Sequence, residues 1–225
     1  MIAVVVPAHN EEEHIEKCLR SLTVAALCPA LAGEPVIVIV VLDDCSDGTA
    51  RIARGFARVR TVQNRARNVG AARAIGAQAA LATGARWLAF TEADSEVTPD
   101  WISQQLGLQA DAVCGTVQVR DLGAHGDEVR ARFQSFYQDC DCHRQIHGAN
   151  LGITADAYHL SGGFLPLATG EDVALVHRLL ERGLSIAWTA AARVTTSSRK
   201  HFRTPGGFGA TLMQLSGALV TSSAS

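Results

Sequence analysis

An α/β fold with a mostly parallel central sheet is predicted by three features of the sequence. Two apolar, largely β-branched runs, Ile2–Val6 and Val36–Leu42, are too short for helices and read as buried strands. Each is followed by a polar loop and then by apolar residues at helical spacing, and this β-α-β-α order calls for parallel strands. The chain has 225 residues, 48% of them apolar, enough to bury the core of one globular unit.

The bulk chemistry narrows the function. Lys and Arg number 20 against 22 Asp and Glu, for a net charge of −2 with no dominant basic block. That balance excludes a nucleic-acid surface or a polybasic membrane patch and favours small-molecule chemistry. The six cysteines are scattered, and no charged region precedes an apolar stretch at the N-terminus, so a cytoplasmic location is expected. No apolar run reaches the roughly 18 residues that span a bilayer. Val36–Leu42 is strand-sized, and the tail after Gly209 is broken by Gln214, Ser216 and Gly217. Peripheral association with the cytoplasmic face of a membrane, through a partner or an interfacial tail, stays open.

Taken in order, the first strand stops at Pro7, and Ile15, Leu19 and Leu22 mark the helix that follows. Asn10 is the expected N-cap, with Glu11–Glu13 in the first turn, where the helix dipole favours acids. The second strand breaks off at Asp43-Asp44-Cys45-Ser46-Asp47-Gly48-Thr49, and a helix carrying Ile52 and Phe56 follows. Thr61-Val62 suggests a third short strand. From Asn68 onward the small residues Gly70, Ala71, Ala72, Ala74, Gly76, Ala77, Ala79 and Ala80 predict a helix able to pack closely. Arg73 stands out within it; taken alone, it reads as a solvated helix cation.

Trp87–Phe90 supplies the next strand, and the stretch to Val97 carries Glu92 and Asp94. In an extended chain residues i and i+2 point to one side, so the two carboxylates could face a divalent cation together; the alternative is a polar turn closing the strand. Four strand ends then converge on one crevice, the usual ligand position in a parallel sheet. Downstream, Glu128–Ile146 is expected to be helical, placing His143 and His147 on one face. Cys140, Cys142 and His143 lack a second thiol pair at ligand spacing, which favours a helix flanking a pocket over structural zinc. Ser185–Trp188 reads as another strand, and Val194–Arg203, ahead of Thr204-Pro205-Gly206-Gly207, as a mobile loop.

These segments together resemble the family 2 glycosyltransferases. Val4-Val5-Val6-Pro7-Ala8-His9-Asn10-Glu11-Glu12 resembles the family's opening, and Val41-Leu42-Asp43-Asp44-Cys45-Ser46-Asp47-Gly48-Thr49 its second strand and acidic loop. Asn68-Val69-Gly70-Ala71-Ala72-Arg73 with Gly76 is similar to the Gly-x-x-x-Arg-Asn-x-Gly helix, and Glu92-Ala93-Asp94-Ser95 falls at the Asp-x-Asp metal motif. Gly148-Ala149-Asn150, Ser161-Gly162-Gly163-Phe164 and Gly170-Glu171-Asp172-Val173 resemble the acceptor-side motifs. The likeness covers roughly residues 2 to 200. Two departures stand out: Glu92 replaces the usual Asp, and Ala74 the Asn after the arginine.

The resemblance implies a single-domain GT-A, Rossmann-like α/β/α sandwich over residues 1–225. About 1–100 would bind a nucleotide-diphosphate sugar, about 101–200 would shape the acceptor side, and about 201–225 would form a mobile loop and tail. It implies an inverting, metal-dependent transfer of a hexose to a small-molecule or lipid-linked hydroxyl. Pro7, Ala8, Asn10, Glu11, Asp43, Arg73, Glu92, Ala93 and Asp94 would line the donor site, with Asp43 at the base or ribose. Arg73, and with it Arg65 or Arg67, would lie near the base or diphosphate. Mg2+ or Mn2+ would be held by Asp94, with Glu92 either a direct ligand or a water-mediated partner and His201 completing the shell. Asp172 would be the base, with Glu171 its neighbouring alternative; without the motif order both read as first-turn residues of the helix Val173–Leu180. Asn150, Gly163, Arg199 and His201 would lie on the acceptor or diphosphate side. Two rival readings are a sugar-phosphate nucleotidyltransferase and a non-catalytic, nucleotide-sugar-binding partner subunit. Against the first, the Pro7–Glu11 loop is acidic and free of glycine; against the second stands the Glu171-Asp172 pair.

Overall fold

The computed structural model describes residues 1–120, 137 and 139–197. Its strands are β1 (Ile2–Ala8), β2 (Val36–Asp43), β3 (Val59–Asn64), β4 (Trp87–Phe90), β5 (Ser95–Val97), β6 (Ala112–Val119), β7 (Leu151–Thr154) and β8 (Ile186–Thr196). They form one sheet in the order β3-β2-β1-β4-β7-β6-β8-β5. β1 to β4 are parallel, as are β6 and β8, while β7 runs antiparallel to both β4 and β6, and β5 to β8. The reversal at β7 brings its beginning to the rim where β1, β2 and β4 end, since Leu151 pairs with Phe90.

Alternation along the strands divides the core into two layers. Ile2, Val4 and Val6 join Val38, Val40 and Leu42 against Ile15, Leu19 and Leu22 of α1 (Ile15–Ala25) and against Trp101 of α4 (Trp101–Gly107). The opposite set, Val5, Ile39, Val41, Leu88 and Phe90, packs on α3 (Val69–Leu81), α5 (Ala155–Leu160) and α6 (Glu171–Glu181). The sheet is therefore covered on both faces, which explains why β1 and β2 are apolar without interruption. α2 (Thr49–Arg54) is a short helix beside α1. No helix among the described residues is long and apolar enough to cross a membrane.

α3 forms as its small residues suggest. Asn68 caps it, its side chain accepting from the Ala71 amide at 2.9 Å. A Cβ on Gly76 would lie 2.3 Å from Val5 Cγ1 and 2.9 Å from Val41 Cγ2, so the helix backbone rests directly on the sheet.

Four local expectations are corrected. Asn10 does not cap α1, which begins at Ile15 behind His14. The reason is that the amides of Glu11 and Glu12 are held by Thr49 Oγ1 (2.7 Å) and Asp47 Oδ2 (3.1 Å), drawing the chain toward the β2–α2 loop before it can coil. Asn10 takes a left-handed φ of +53° and accepts from the Ser46 amide. β4 is Trp87–Phe90 as expected, but the extended reading of Glu92 and Asp94 gives way to its alternative, a polar turn: the Ser95 amide closes onto the Glu92 carbonyl at 3.1 Å, and β5 crosses to β8 at the far edge. Of the helix expected over Glu128–Ile146, residues 128–136 and 138 lie outside the described residues, and 139–146 are not helical. There Cys142, at φ +63°, donates its amide to the Trp188 carbonyl, and the Asp141 carboxylate takes the Ala190 amide and Thr189 hydroxyl, so the segment is bonded to β8 instead of to itself. Finally, Val194–Thr196, expected in a loop, completes β8.

Candidate active site

The ends of β1 to β4 and the turn before β7 lie along one rim of the sheet. Pro7 and Ala8 are buried at the end of β1, and the Ala8 carbonyl accepts from the Cys45 thiol at 3.2 Å. Glu11, at 9% exposure, follows them at the mouth. Asp43 ends β2 with its carboxylate fully engaged: Oδ1 accepts from the Arg67 amide (2.9 Å) and Oδ2 from the Asn68 amide (2.8 Å). It thereby fixes the entrance to α3. Its carbonyl meets His9 Nδ1 at 2.6 Å, which leaves His9 Nε2 to accept from Arg67 Nη2 at 3.4 Å. Arg67 Nε is also 3.7 Å from Asp44 Oδ2. His9, Asp44 and Arg67 thus make a polar edge at the carboxyl end of β2. Of these, His9 and Asp44 were not expected site residues, although both lie inside the motif segments.

Glu92 and Asp94 diverge because they sit in a turn. The Asp94 carboxylate faces the end of β8: Oδ1 accepts from Thr196 Oγ1 and Ser95 Oγ, both at 3.3 Å, and Oδ2 from Ser197 Oγ at 2.8 Å. Glu92 instead pairs with the guanidinium of Arg73. Burial pushes the Glu92 carboxyl up to about 7, opposed by Arg73 and reinforced by Asp94, Glu11 and Asp172. Between them Ala93 packs into the core, so only its backbone can meet a ligand.

Arg73 is buried, at 3% exposure, and is not the solvated cation its position alone suggests. Its Nη2 donates to Glu92 and its Nη1 to Glu171, while its guanidinium lies 5.7 Å from the Phe164 ring centroid. Glu171 opens α6, itself entered through Gly170 at φ +72°. The next residue, Asp172, faces the turn before β7: Oδ2 accepts from the Gly148 amide at 2.6 Å and Oδ1 from the Val173 amide at 2.8 Å. His147 precedes Gly148. Burial pushes its imidazole down to about 4 against the pull of Asp172, so it is neutral near pH 7.

Two expected acceptor-side residues serve the fold. Asn150 is wholly buried, with Oδ1 accepting from Trp101 Nε1 at 2.9 Å and Nδ2 donating to the carbonyls of Thr116 (2.7 Å) and Ala192 (2.6 Å). Gly163, at φ +68°, lies where a Cβ would press on the Tyr158 ring at 2.8 Å, and its carbonyl accepts from Arg178 at 2.6 Å. Arg199 and His201 lie outside the described residues. Among those residues no group of three or more His, Cys, Asp or Glu side chains is disposed to hold a metal. The donor set still suits Mg2+ or Mn2+, which bind through one or two carboxylates together with substrate phosphates; Asp94 offers hard oxygens at the rim, and Arg73 occupies Glu92.

The model of the family described as glycosyl transferase family 2 matches residues 3–164. No curated protein sequence matches the chain. Among solved structures, Staphylococcus aureus TarS 1–349 in complex with UDP-GlcNAc superposes with a TM-score of 0.71 at 13% identity, over 96% of this chain and 65% of that one. The same protein in complex with UDP gives 0.68 at 15% identity, over 97% and 65%. The mannosyltransferase PcManGT from Pyrobaculum calidifontis, in complex with GDP-Man and Mn2+, gives 0.64 at 16% identity, over 100% and 75%. The chain spans about 65% of the TarS 1–349 chains and shares their fold.

Proposed function

Because the chain belongs to glycosyl transferase family 2, we propose that it moves a hexose, with inversion, from a nucleotide-diphosphate donor to a hydroxyl acceptor that is a small molecule or lipid-linked. The observation that carries this reading is the Glu92–Arg73–Glu171 bridge, which ties the acidic turn holding Asp94 to the helix start holding Asp172. A carboxylate suited to a metal and a carboxylate suited to a proton are thereby held around one crevice.

The donor diphosphate lies at the strand ends, between the polar edge of His9, Asp44 and Arg67 and the rim at Asp94. Asp94 would hold Mg2+ or Mn2+ directly and Glu92 through water, since the Glu92 carboxylate is already paired with Arg73. Such an ion, when bound, neutralises charge on the departing nucleoside diphosphate. Asp172 accepts the acceptor hydroxyl proton from the side of the turn before β7. The acceptor oxygen forms its bond to the anomeric carbon as the bond from that carbon to the diphosphate breaks, and the diphosphate leaves with the electron pair. The Gly148 and Val173 amides hold the Asp172 carboxylate in place. His147, kept neutral beside it by burial, adds no charge there.

We place the reaction in the cytoplasm. The six cysteines, all free, suit a reducing compartment. Neighbouring complexes hold UDP-GlcNAc or GDP-Man, and these are the first donors to test. The reading is checked by release of nucleoside diphosphate from either donor with and without Mn2+. Release that depends on the metal and is abolished by Asp94→Ala is expected; full release from Asp94→Ala, or without metal, would remove the metal from the scheme.

A further inference from the structure

We propose that Arg73 is a positioning residue for Asp172, acting through Glu171, and that it makes no contact with the sugar nucleotide. The inference rests on the reading of Asp172 as the base. Its grounds are geometric. The guanidinium is closed on every side the structure shows: Nη2 is taken by Glu92, Nη1 by Glu171, and a Cβ on Gly148 would lie 2.3 Å from both Nη atoms. The Phe164 ring closes a further side, and Nε is buried without a partner among the described residues. With 3% of Arg73 exposed, the N–H groups that Glu92 and Glu171 leave over are closed off from solvent, and from a diphosphate or a base arriving through it.

What Arg73 does reach is the frame around Asp172. Glu171 is the first residue of α6 and is itself only 3% exposed, so its pairing with Arg73 sets where the helix begins and how it is rotated. Asp172, next in the chain, then points at the Gly148 amide, and the backbone of Gly148 lies on the same guanidinium. One cation therefore locates both the carboxylate and the amide that orients it. The neighbouring glycine has a reason too: any side chain at 148 would displace the guanidinium.

The test uses the full chain with Glu171→Ala and Arg73→Lys, each in the wild-type and Asp172→Asn backgrounds, with thermal unfolding to show that each variant is folded. The first readout needs no donor. In the wild type the Gly148 amide, bonded to the Asp172 carboxylate, is protected from hydrogen exchange, and Asp172→Ala removes that protection. Glu171→Ala leaves Arg73 paired with Glu92 and touches neither end of the Gly148–Asp172 bond, yet it is expected to abolish that protection; unchanged Gly148 protection overturns the inference. The second readout is turnover of UDP-GlcNAc or GDP-Man with Mn2+. Glu171→Ala is expected to lower kcat by ~100-fold while the donor KM stays within about threefold, with Arg73→Lys intermediate. In the Asp172→Asn background neither variant should cause a further loss. Equal losses in both backgrounds, or a donor KM that rises in step, would assign the pair to donor binding and overturn the inference. If Asp172→Asn alone leaves turnover intact, the base reading fails, and the Gly148 exchange protection still decides the positioning.

Discussion

Asn150 closes a register shift between β6 and β8, where the pairing jumps between Gly115 and Val117. Its amide takes up the carbonyls of Thr116 and Ala192 and accepts from Trp101, and Gly115 leaves room for it. Asn150→Ala would strand a buried indole N–H and two carbonyls, each costing roughly 1–3 kcal/mol. A loss of about 3 kcal/mol in denaturant unfolding is therefore expected, with nucleotide affinity little changed in the folded fraction. His147 adds a pH effect. Its folded-state value of about 4 lies below the ordinary 6.5, so the unfolded chain binds the proton first and stability falls as pH drops through that window. Replacing His147 by Gln should flatten the stability profile between those values, measured as urea midpoints. A profile still as steep as the wild type's would place the acid sensitivity elsewhere.

The close seat of α3 on the sheet makes a prediction at the scale of the element. Gly76→Ala adds helix propensity, a gain of up to ~1 kcal/mol. Against that, the new methyl would sit 2.3 Å from Val5 in a fully buried sheet, and overpacking of this kind costs roughly 1–3 kcal/mol. The clash should win, with net destabilisation of about 1 kcal/mol and loss of turnover as Arg73, three residues earlier on the same helix, is displaced. The elements themselves were largely legible. β1, β2, the helix after Asn68 and the helix after Gly170 follow from apolar runs, small-residue content and capping chemistry, all local signals. Glu92 and Asp94 were less so. Local sequence allows both an extended chain and a polar turn after Phe90, and the choice depends on β8, about a hundred residues away, which draws β5 to the far edge. Asn10 failed as a cap for a similar reason, since the partners that hold its neighbours lie in the loop after β2.

Across the whole molecule, the reversal at β7 lets residues more than fifty positions apart in the chain share a rim, and the Arg73 bridge spans it. The order of motifs indicated which residues gather there but not how they pair. Asp43 and Asn150 also hold backbone amides and carbonyls of the protein, partners that lie far off in the chain and are chosen in three dimensions. A ligand binding such a rim only in the folded state should stabilise the whole domain. At about 100 times Kd the gain is ~2.7 kcal/mol. For a chain of this size that is a Tm rise of roughly 5–10 °C, expected for one nucleotide sugar in the presence of Mn2+ and much smaller without it.

The most direct measurement takes the nucleotide sugar giving the largest shift and compares wild type with Asp172→Asn for both binding and turnover. The expected result is a Kd within about threefold of wild type and turnover lower by ~100-fold or more, as removal of a positioned base requires. Undiminished turnover in a folded Asp172→Asn protein would contradict the site as drawn.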